Sequence, residues 1–282
     1  MRFSLLVISL IFCLLPTFSG CSLFDKEEPV PSYIKINSIG VTTDYLNQGT
    51  NKHKLVDAWV YVDNQLIGAF ELPAKFPVLD WGEEKKIRVR AGIKMNGISA
   101  LRVDYPFFPG YESTINLSAG QITEVQPVVA YRPTTTFVWL EDFDGVGHTI
   151  NDTIQGPKLS QDTANTFQGR ACGKIRLQGD TLSFEIRSSS AFPLPTDGRP
   201  IFMELHYKSS HEFRVGVITA SNEHRISLGV NATSTWNKIY INLINETNQI
   251  PTSTNYRIFF SMLRAQGSGV QEFFIDNIKL LY

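Results

Sequence analysis

From Ser32 to Tyr282 apolar residues recur at every second position in short runs, and clusters of Gly, Pro, Asn and Asp cut one run from the next. A period of two with turn residues at regular spacing predicts half-buried strands rather than helices. The cleanest run is Val56-Asp57-Ala58-Trp59-Val60-Tyr61-Val62-Asp63, followed by Asn64 and a second run through Ile67 and Phe70. It predicts a hairpin with Val56, Ala58, Val60 and Val62 on the core side. Trp59 and Tyr61 must then face away, to cover a second sheet or to stand exposed. Further strands are expected at 33–42, 75–79, 85–95, 98–104, 112–117 and 121–130. They make a first domain, 32–131, whose strand count and spacing fit an immunoglobulin-like sandwich.

Tyr131-Arg132-Pro133-Thr134-Thr135-Thr136 breaks the alternation and marks the domain boundary. Beyond it, strands are expected at 137–142, 171–177, 181–188, 201–208, 212–219, 224–230, 236–243, 256–263 and 272–281, with a long polar loop at 144–169. That number of strands in 132–282 suits a jelly roll. The fold class expected is therefore all-β, an N-terminal immunoglobulin-like β-sandwich followed by a C-terminal jelly-roll β-sandwich. On strand 201–208, Ile201, Met203, Leu205 and Tyr207 should point inward and Phe202, Glu204, His206 and Lys208 outward. On the next strand Phe213, Val215 and Val217 should point inward and Arg214 outward.

The first residues follow another pattern. Arg2, an apolar run from Leu5 to Leu15 and Phe18-Ser19-Gly20-Cys21 have the form of a lipoprotein signal, with residues 1–20 removed and Cys21 lipidated. The run is shorter than the ~20 residues a spanning helix needs. Residues 21–31, charged and closed by Pro29 and Pro31, read as a tether. Lys26-Glu27-Glu28 resembles the export signal that Bacteroidetes place behind the lipidated cysteine of surface lipoproteins, which implies an outer-membrane, lipid-anchored, cell-surface location. A solvated linker is the plainer reading of the same three residues.

Charge and cysteines narrow the function classes. Without residues 1–20 the chain keeps 25 Lys+Arg, one fewer than the full 26, against 27 Asp+Glu, a charge of −2. That gives no argument for nucleic acid. Of three cysteines only Cys172 remains beside Cys21, so no disulfide joins two parts of the domains. Lys174 and Arg176 alternate with Cys172 and could lower its pKa, but no base is evident beside it. His53, His148, His206, His211 and His224 show no metal-ligand spacing, and no nucleophile elbow, His-Glu-x-x-His or phosphate loop is present. The chain is not expected to be an enzyme.

Leu140-Glu141-Asp142-Phe143-Asp144, Ser234-Thr235-Trp236-Asn237-Lys238-Ile239-Tyr240 and Phe274-Ile275-Asp276-Asn277-Ile278-Lys279-Leu280 resemble the carbohydrate-binding-module and galactose-binding-like jelly-roll superfamily. The resemblance implies non-catalytic binding of a polysaccharide or oligosaccharide. It also implies a structural calcium ion near the chain ends, at Glu141, Asp142, Asp144 and Asp276, of which Asp142 and Asp276 are the better placed. It implies burial of Trp236 in the core, and Trp139 is expected to be buried as well. The expected polar binding surface is Glu204, His206, Arg214 and Arg257, should their strands neighbour one another.

Outside the resemblance, Asp104-Tyr105-Pro106-Phe107-Phe108-Pro109-Gly110-Tyr111 puts Tyr105, Phe107, Phe108 and Tyr111 in a loop stiffened by prolines. Such a loop is an interface candidate, folds over its own sandwich, or packs onto the second domain. As an interface it would make the protein a structural subunit of an envelope secretion, gliding or nutrient-uptake complex. Trp81 is a turn aromatic of similar ambiguity. Thr153, Thr163 and Thr181 stand in Asp-Thr-apolar triplets resembling Bacteroidetes O-glycosylation sites.

Overall fold

The computed structural model describes residues 29–79, 82–248 and 255–282. Residues 1–20, Cys21 and Trp81 lie outside the described residues.

The N-terminal half holds β1 (Ser32–Ile36), β2 (Gly40–Thr42), a short helix α1 (Tyr45–Gln48), β3 (Asp57–Val62), β4 (Gln65–Glu71), β5 (Ala74–Val78), β6 (Gly82–Lys94), β7 (Arg102–Asp104), β8 (Tyr111–Leu117), β9 (Ile122–Glu124) and β10 (Val128–Ala130). One sheet runs β4-β3-β6-β7, with β8 also on β6, and faces the smaller sheets β5-β1-β9 and β10-β2. Ala58, Val60 and Val62 from β3 meet Ile34, Ile36, Phe76, Ile87 and Val89 in one core. The β3–β4 hairpin turns on Asp63 and Asn64, both at positive φ, as a two-residue connection of this hand requires. Two expected strands are each split in two: 33–42 becomes β1 and β2, and 121–130 becomes β9 and β10, the latter break lying at Pro127, which cannot donate to a ladder.

The C-terminal half holds β11 (Phe137–Glu141), β12 (Asp152–Gln155), β13 (Ser160–Asp162), β14 (Cys172–Leu177), β15 (Ser183–Arg187), β16 (Phe192–Pro193), β17 (Phe202–Ser209), β18 (Phe213–Thr219), β19 (His224–Val230), β20 (Thr233–Asn242), α2 (Ile244–Asn248), β21 (Asn255–Leu263) and β22 (Gln271–Leu281). Sheets β13-β14-β22-β17-β20 and β12-β15-β21-β18-β19 enclose a core of Met203, Leu205, Tyr207, Val215, Val217, Phe260, Phe273 and Ile275. Along one edge β22 pairs first with β14, then with β11; Asn277, at φ 49°, stands between the two pairings. The loop expected at 144–169 contains β12 and β13. Both are polar and little buried, so they carry no apolar alternation to read.

The core of the first half does not stop at its own sandwich: it continues onto Phe202, Tyr240 and Leu281, which face outward from the β17, β20 and β22 strands of the second. Tyr105 packs 5.5 Å from Phe202 and 5.1 Å from Tyr240 between ring centres, and Phe107 5.9 Å from Phe202. Of the arrangements open to the 104–111 loop, packing onto the second domain is the one adopted: Tyr105, Phe107 and Phe108 are buried and Tyr111 half-buried. This loop is therefore no free docking surface; its rings already have their partner within the chain.

Candidate functional site

Covering one end of the β13-β14-β22-β17-β20 sheet leaves the other end of its outer face open. Strand register lines side chains up across that open end: Ser160 pairs with Lys174, Lys174 with Phe274 and Phe274 with Lys208. Trp236, next to the Asn237 that pairs with Tyr207, sits beside Lys208 at the end of the row. The Lys208 ammonium lies 4.4 Å from the centre of the Phe274 ring and 5.9 Å from that of Trp236. Lys174 lies over the same Phe274 ring at 4.9 Å and bridges to Asp162 and Glu272, each at 3.1 Å. Phe167 stands 5.7 Å from Trp236 and stacks on His206 at 3.9 Å. Phe274 is buried under the lysines, whereas Trp236 and Phe167 are half-exposed.

Segment 50–54 forms a rail between the open and covered ends. The Lys279 ammonium donates to the Thr50 carbonyl (2.6 Å) and the Lys238 ammonium to the Lys52 carbonyl (3.0 Å). The Lys54 amide donates to the Tyr240 hydroxyl (3.0 Å), and its ammonium to Asn237 Oδ1 (2.5 Å). Thr50 also donates to Gln168, tying the rail to the loop that carries Phe167. Side by side along β20 stand Trp236 in the open, Lys238 under the rail and Tyr240 under the first sandwich. Two concave spaces flank the start of this strand. One of about 540 Å3 is lined by Lys208, Ser210, Thr233, Glu272 and Phe274; the other, about 600 Å3, by Lys54, Lys94, Asn96 and Asn231.

Below the rail lies a network of buried polar groups. Glu204 accepts from Tyr105 Oη (2.6 Å) and Tyr131 Oη (2.7 Å) and pairs with Lys238 at 2.6 Å. Burial opposes its charge, but Lys238 and Lys279 outweigh burial and hold the carboxyl at about 2. The same burial, with Lys238 as neighbour, presses the His206 imidazole down to about 2, so it is neutral against Phe167. Glu204 and His206 thus belong to an internal junction. Arg214 and Arg257 do not join them: β17 and β18 lie in opposite sheets, Arg214 is exposed on the far face, and Arg257 donates to the Ser188 carbonyl. The polar surface expected from those four residues is not assembled.

The acids expected to hold calcium are occupied by protein donors. Glu141 accepts from the Phe143 and Thr149 amides and the Thr149 hydroxyl; Asp142 from Tyr45 Oη and the Asp144 amide. Asp144 accepts from the Arg170 and Ala171 amides, and Asp276 from those of Phe167, Gln168 and Asn277. Among the described residues no group of three His, Cys, Asp or Glu is arranged to hold a metal ion. Their geometry here is that of loop clasps, closing 142–149 and 163–171 against the sheet.

The remaining candidates are scattered. Thr163 is exposed, while Thr153 in β12 and Thr181 in the β14–β15 connection are half-buried. Cys172 is buried and burial, then Asp276 and Asp162, push its thiol up to about 12, against the lowering expected from Lys174. Trp139 is buried; Trp236, expected in the core, is on the outer face. Parity along β20 carried the signal: Ile239 and Ile241 point inward, so Trp236, Lys238 and Tyr240 must point out.

Comparison with protein families and with curated proteins gives no match. Among solved structures the chain is similar to a family 29 carbohydrate binding module, CBM29-2, with 14% identity over 53% of this chain and 91% of that chain and a TM-score of 0.34. It is also similar to the C-terminal family 22 carbohydrate binding module of Clostridium thermocellum Xyn10B, with 11% identity over 51% and 91% and a TM-score of 0.35. A third is TmCBM61, in complex with beta-1,4-galactotriose, with 18% identity over 44% and 79% and a TM-score of 0.30. Likeness at this level says nothing of what the present chain binds. Its own strands define its class: an all-β protein of two joined sandwiches.

Proposed function

We propose that the protein is a non-catalytic glycan-binding protein, displayed on the cell surface from a lipidated Cys21 in the outer membrane. The observation that carries the reading is Trp236, a half-exposed indole at the end of a row of aromatic and hydrogen-bonding side chains on the open sheet face. Rings stack on the apolar faces of sugars while neighbouring amides, hydroxyls and charges take the hydroxyl groups. From Lys174 to Trp236 the row crosses neighbouring strands over about 14 Å, the length of a short oligosaccharide. Asn165, which accepts from Lys208, and the hydroxyls of Ser210, Thr233 and Ser234 supply polar partners beside the rings. The nearest acids, Asp162 and Glu272, are both engaged by Lys174, which supports binding rather than acid-base hydrolysis.

The test is affinity electrophoresis of the protein through gels containing a panel of polysaccharides, repeated with Trp236→Ala. Retardation that the substitution abolishes, with the unfolding free energy changed by no more than ~1 kcal/mol, is the expected result. Retardation unchanged by Trp236→Ala would move the site elsewhere. Display from Cys21 is checked separately: labelled fatty acid enters the native protein and not Cys21→Ser.

A further inference from the structure

The lysines around Trp236 are unevenly served. Lys174 has two carboxylates and Lys238 has Glu204, but Lys208, between the Phe274 and Trp236 rings, has among the described residues only the Asn165 amide oxygen, at 3.4 Å, as a polar partner. On the rail, Lys54 has the Asn237 amide oxygen, and Lys52 presents an exposed side chain while its carbonyl accepts from Lys238. Burial, and then Lys94, hold the Lys54 ammonium below its usual range, and an anion beside it would favour the charged form. The acids that could answer these cations are spent. Asp162 and Glu272 are on Lys174, Glu204 is on Lys238, Lys94 has Glu71 at 3.8 Å, and Asp276 lies buried beneath the row.

From this arrangement we infer that the ligand is an anionic glycan, a polymer carrying carboxylate or sulfate groups, with Lys208 meeting one acidic group as its sugar stacks on Trp236. Lys52 and Lys54 meet the next along the rail. The inference rests on the glycan reading and narrows it to a ligand class. A neutral sugar would leave the Lys208 ammonium between two rings without an ionic partner. An acidic sugar supplies one, and only the anion has still to be desolvated, because the cation is already in place and already partly desolvated.

The experiment compares the protein, Lys208→Gln and Trp236→Ala on polygalacturonate, dextran sulfate, a neutral xylan, a neutral galactan and a single-stranded oligonucleotide, at 50 and 300 mM salt. Expected is binding to one or both acidic polymers, weakened by salt as exposed charges are screened. Lys208→Gln should lower affinity roughly tenfold or more, the size of a lost hydrogen bond between charged groups, while the unfolding midpoint stays in place. Polygalacturonate and dextran sulfate separate carboxylate from sulfate as the group recognised. Binding to xylan or galactan that is insensitive to salt and to Lys208→Gln, yet lost in Trp236→Ala, would overturn the inference and leave the glycan reading standing. No retardation by any polysaccharide, or binding to the oligonucleotide alone, would overturn both.

Discussion

Lys238 holds its ammonium 2.6 Å from the Glu204 carboxylate, at the junction where the first sandwich covers the sheet of the second. Two tyrosines from the covering side, Tyr105 and Tyr131, donate to the same carboxylate, and Lys238 donates onward to the Lys52 carbonyl. A buried pair adds little against a hydrophobic substitute, yet each partner is costly to remove alone. The pair therefore fixes where the rail and the covering loop settle, and so where the open face begins.

Lys238→Met should destabilise the protein by about 3–5 kcal/mol, because it removes the direct ion-pair partner of the buried Glu204 carboxylate and leaves only the more distant Lys279 to offset its charge. Adding Glu204→Gln should recover much of that loss. Urea unfolding of the two single variants and the double variant measures the coupling, and additive losses would show that the pair acts independently.

Phe202→Ala should cost about 3–5 kcal/mol, because Phe202 is a buried outward residue of β17 whose ring packs against Tyr105 and Phe107 from the other half. The loss should also uncouple the two sandwiches. A single calorimetric transition in the native protein should broaden or split in the variant. A native protein that already unfolds in two steps would contradict the shared core.

Asp276 gives a pH dependence of definite sign. Burial pushes its carboxyl up to about 7, against the Gln168, Asn277 and Phe167 amides that favour the charge. The folded state thus binds the proton more tightly than the unfolded chain. Its contribution to stability is complete below about pH 4 and is lost as pH rises through about 7. Stability measured from pH 4 to 8 should fall across that window, and the fall should be smaller in Asp276→Asn. An identical slope in the variant would assign it to other groups.

Cys172 should resist alkylation. With its thiol buried and pushed up to about 12, almost no thiolate is present at pH 8. Iodoacetamide should modify it only after denaturant is added, as read by mass; rapid labelling of the folded protein would refute the assignment.

Much of the fold was legible before any coordinates. Strands announce themselves by a period of two, and β3, β14, β17, β18 and β21 all carry it, so their inward and outward residues could be assigned from the chain; in β22 the inward set shifts from Phe273 and Ile275 to Ile278 and Leu280 across Asn277. Three strands were not expected: β12 and β13 lie at sheet edges where neither face needs apolar residues, and β16 is only two residues long, too short to show an alternation. The site was legible only in part. Trp236 was expected in the core from the family resemblance, and the structure corrects this: Ile239 and Ile241 point inward, which leaves Trp236 on the outer face. Arg214 was correctly read as outward, but alternation cannot say which of two sheets a strand joins.

What the sequence determined by itself is therefore the all-β class and the sidedness of strands such as β3, β17 and β18, because these follow from spacing along the chain. Which outward faces remain outward was decided by tertiary structure alone. Phe202, Glu204 and Tyr240 are outward residues of their own sandwich that a second sandwich buries, whereas Lys208 and Trp236, a few residues away on the same strands, stay at the surface. That boundary is set by pairings between residues far apart in sequence, such as Tyr105 with Glu204 and Thr50 with Lys279, and local periodicity holds no record of them.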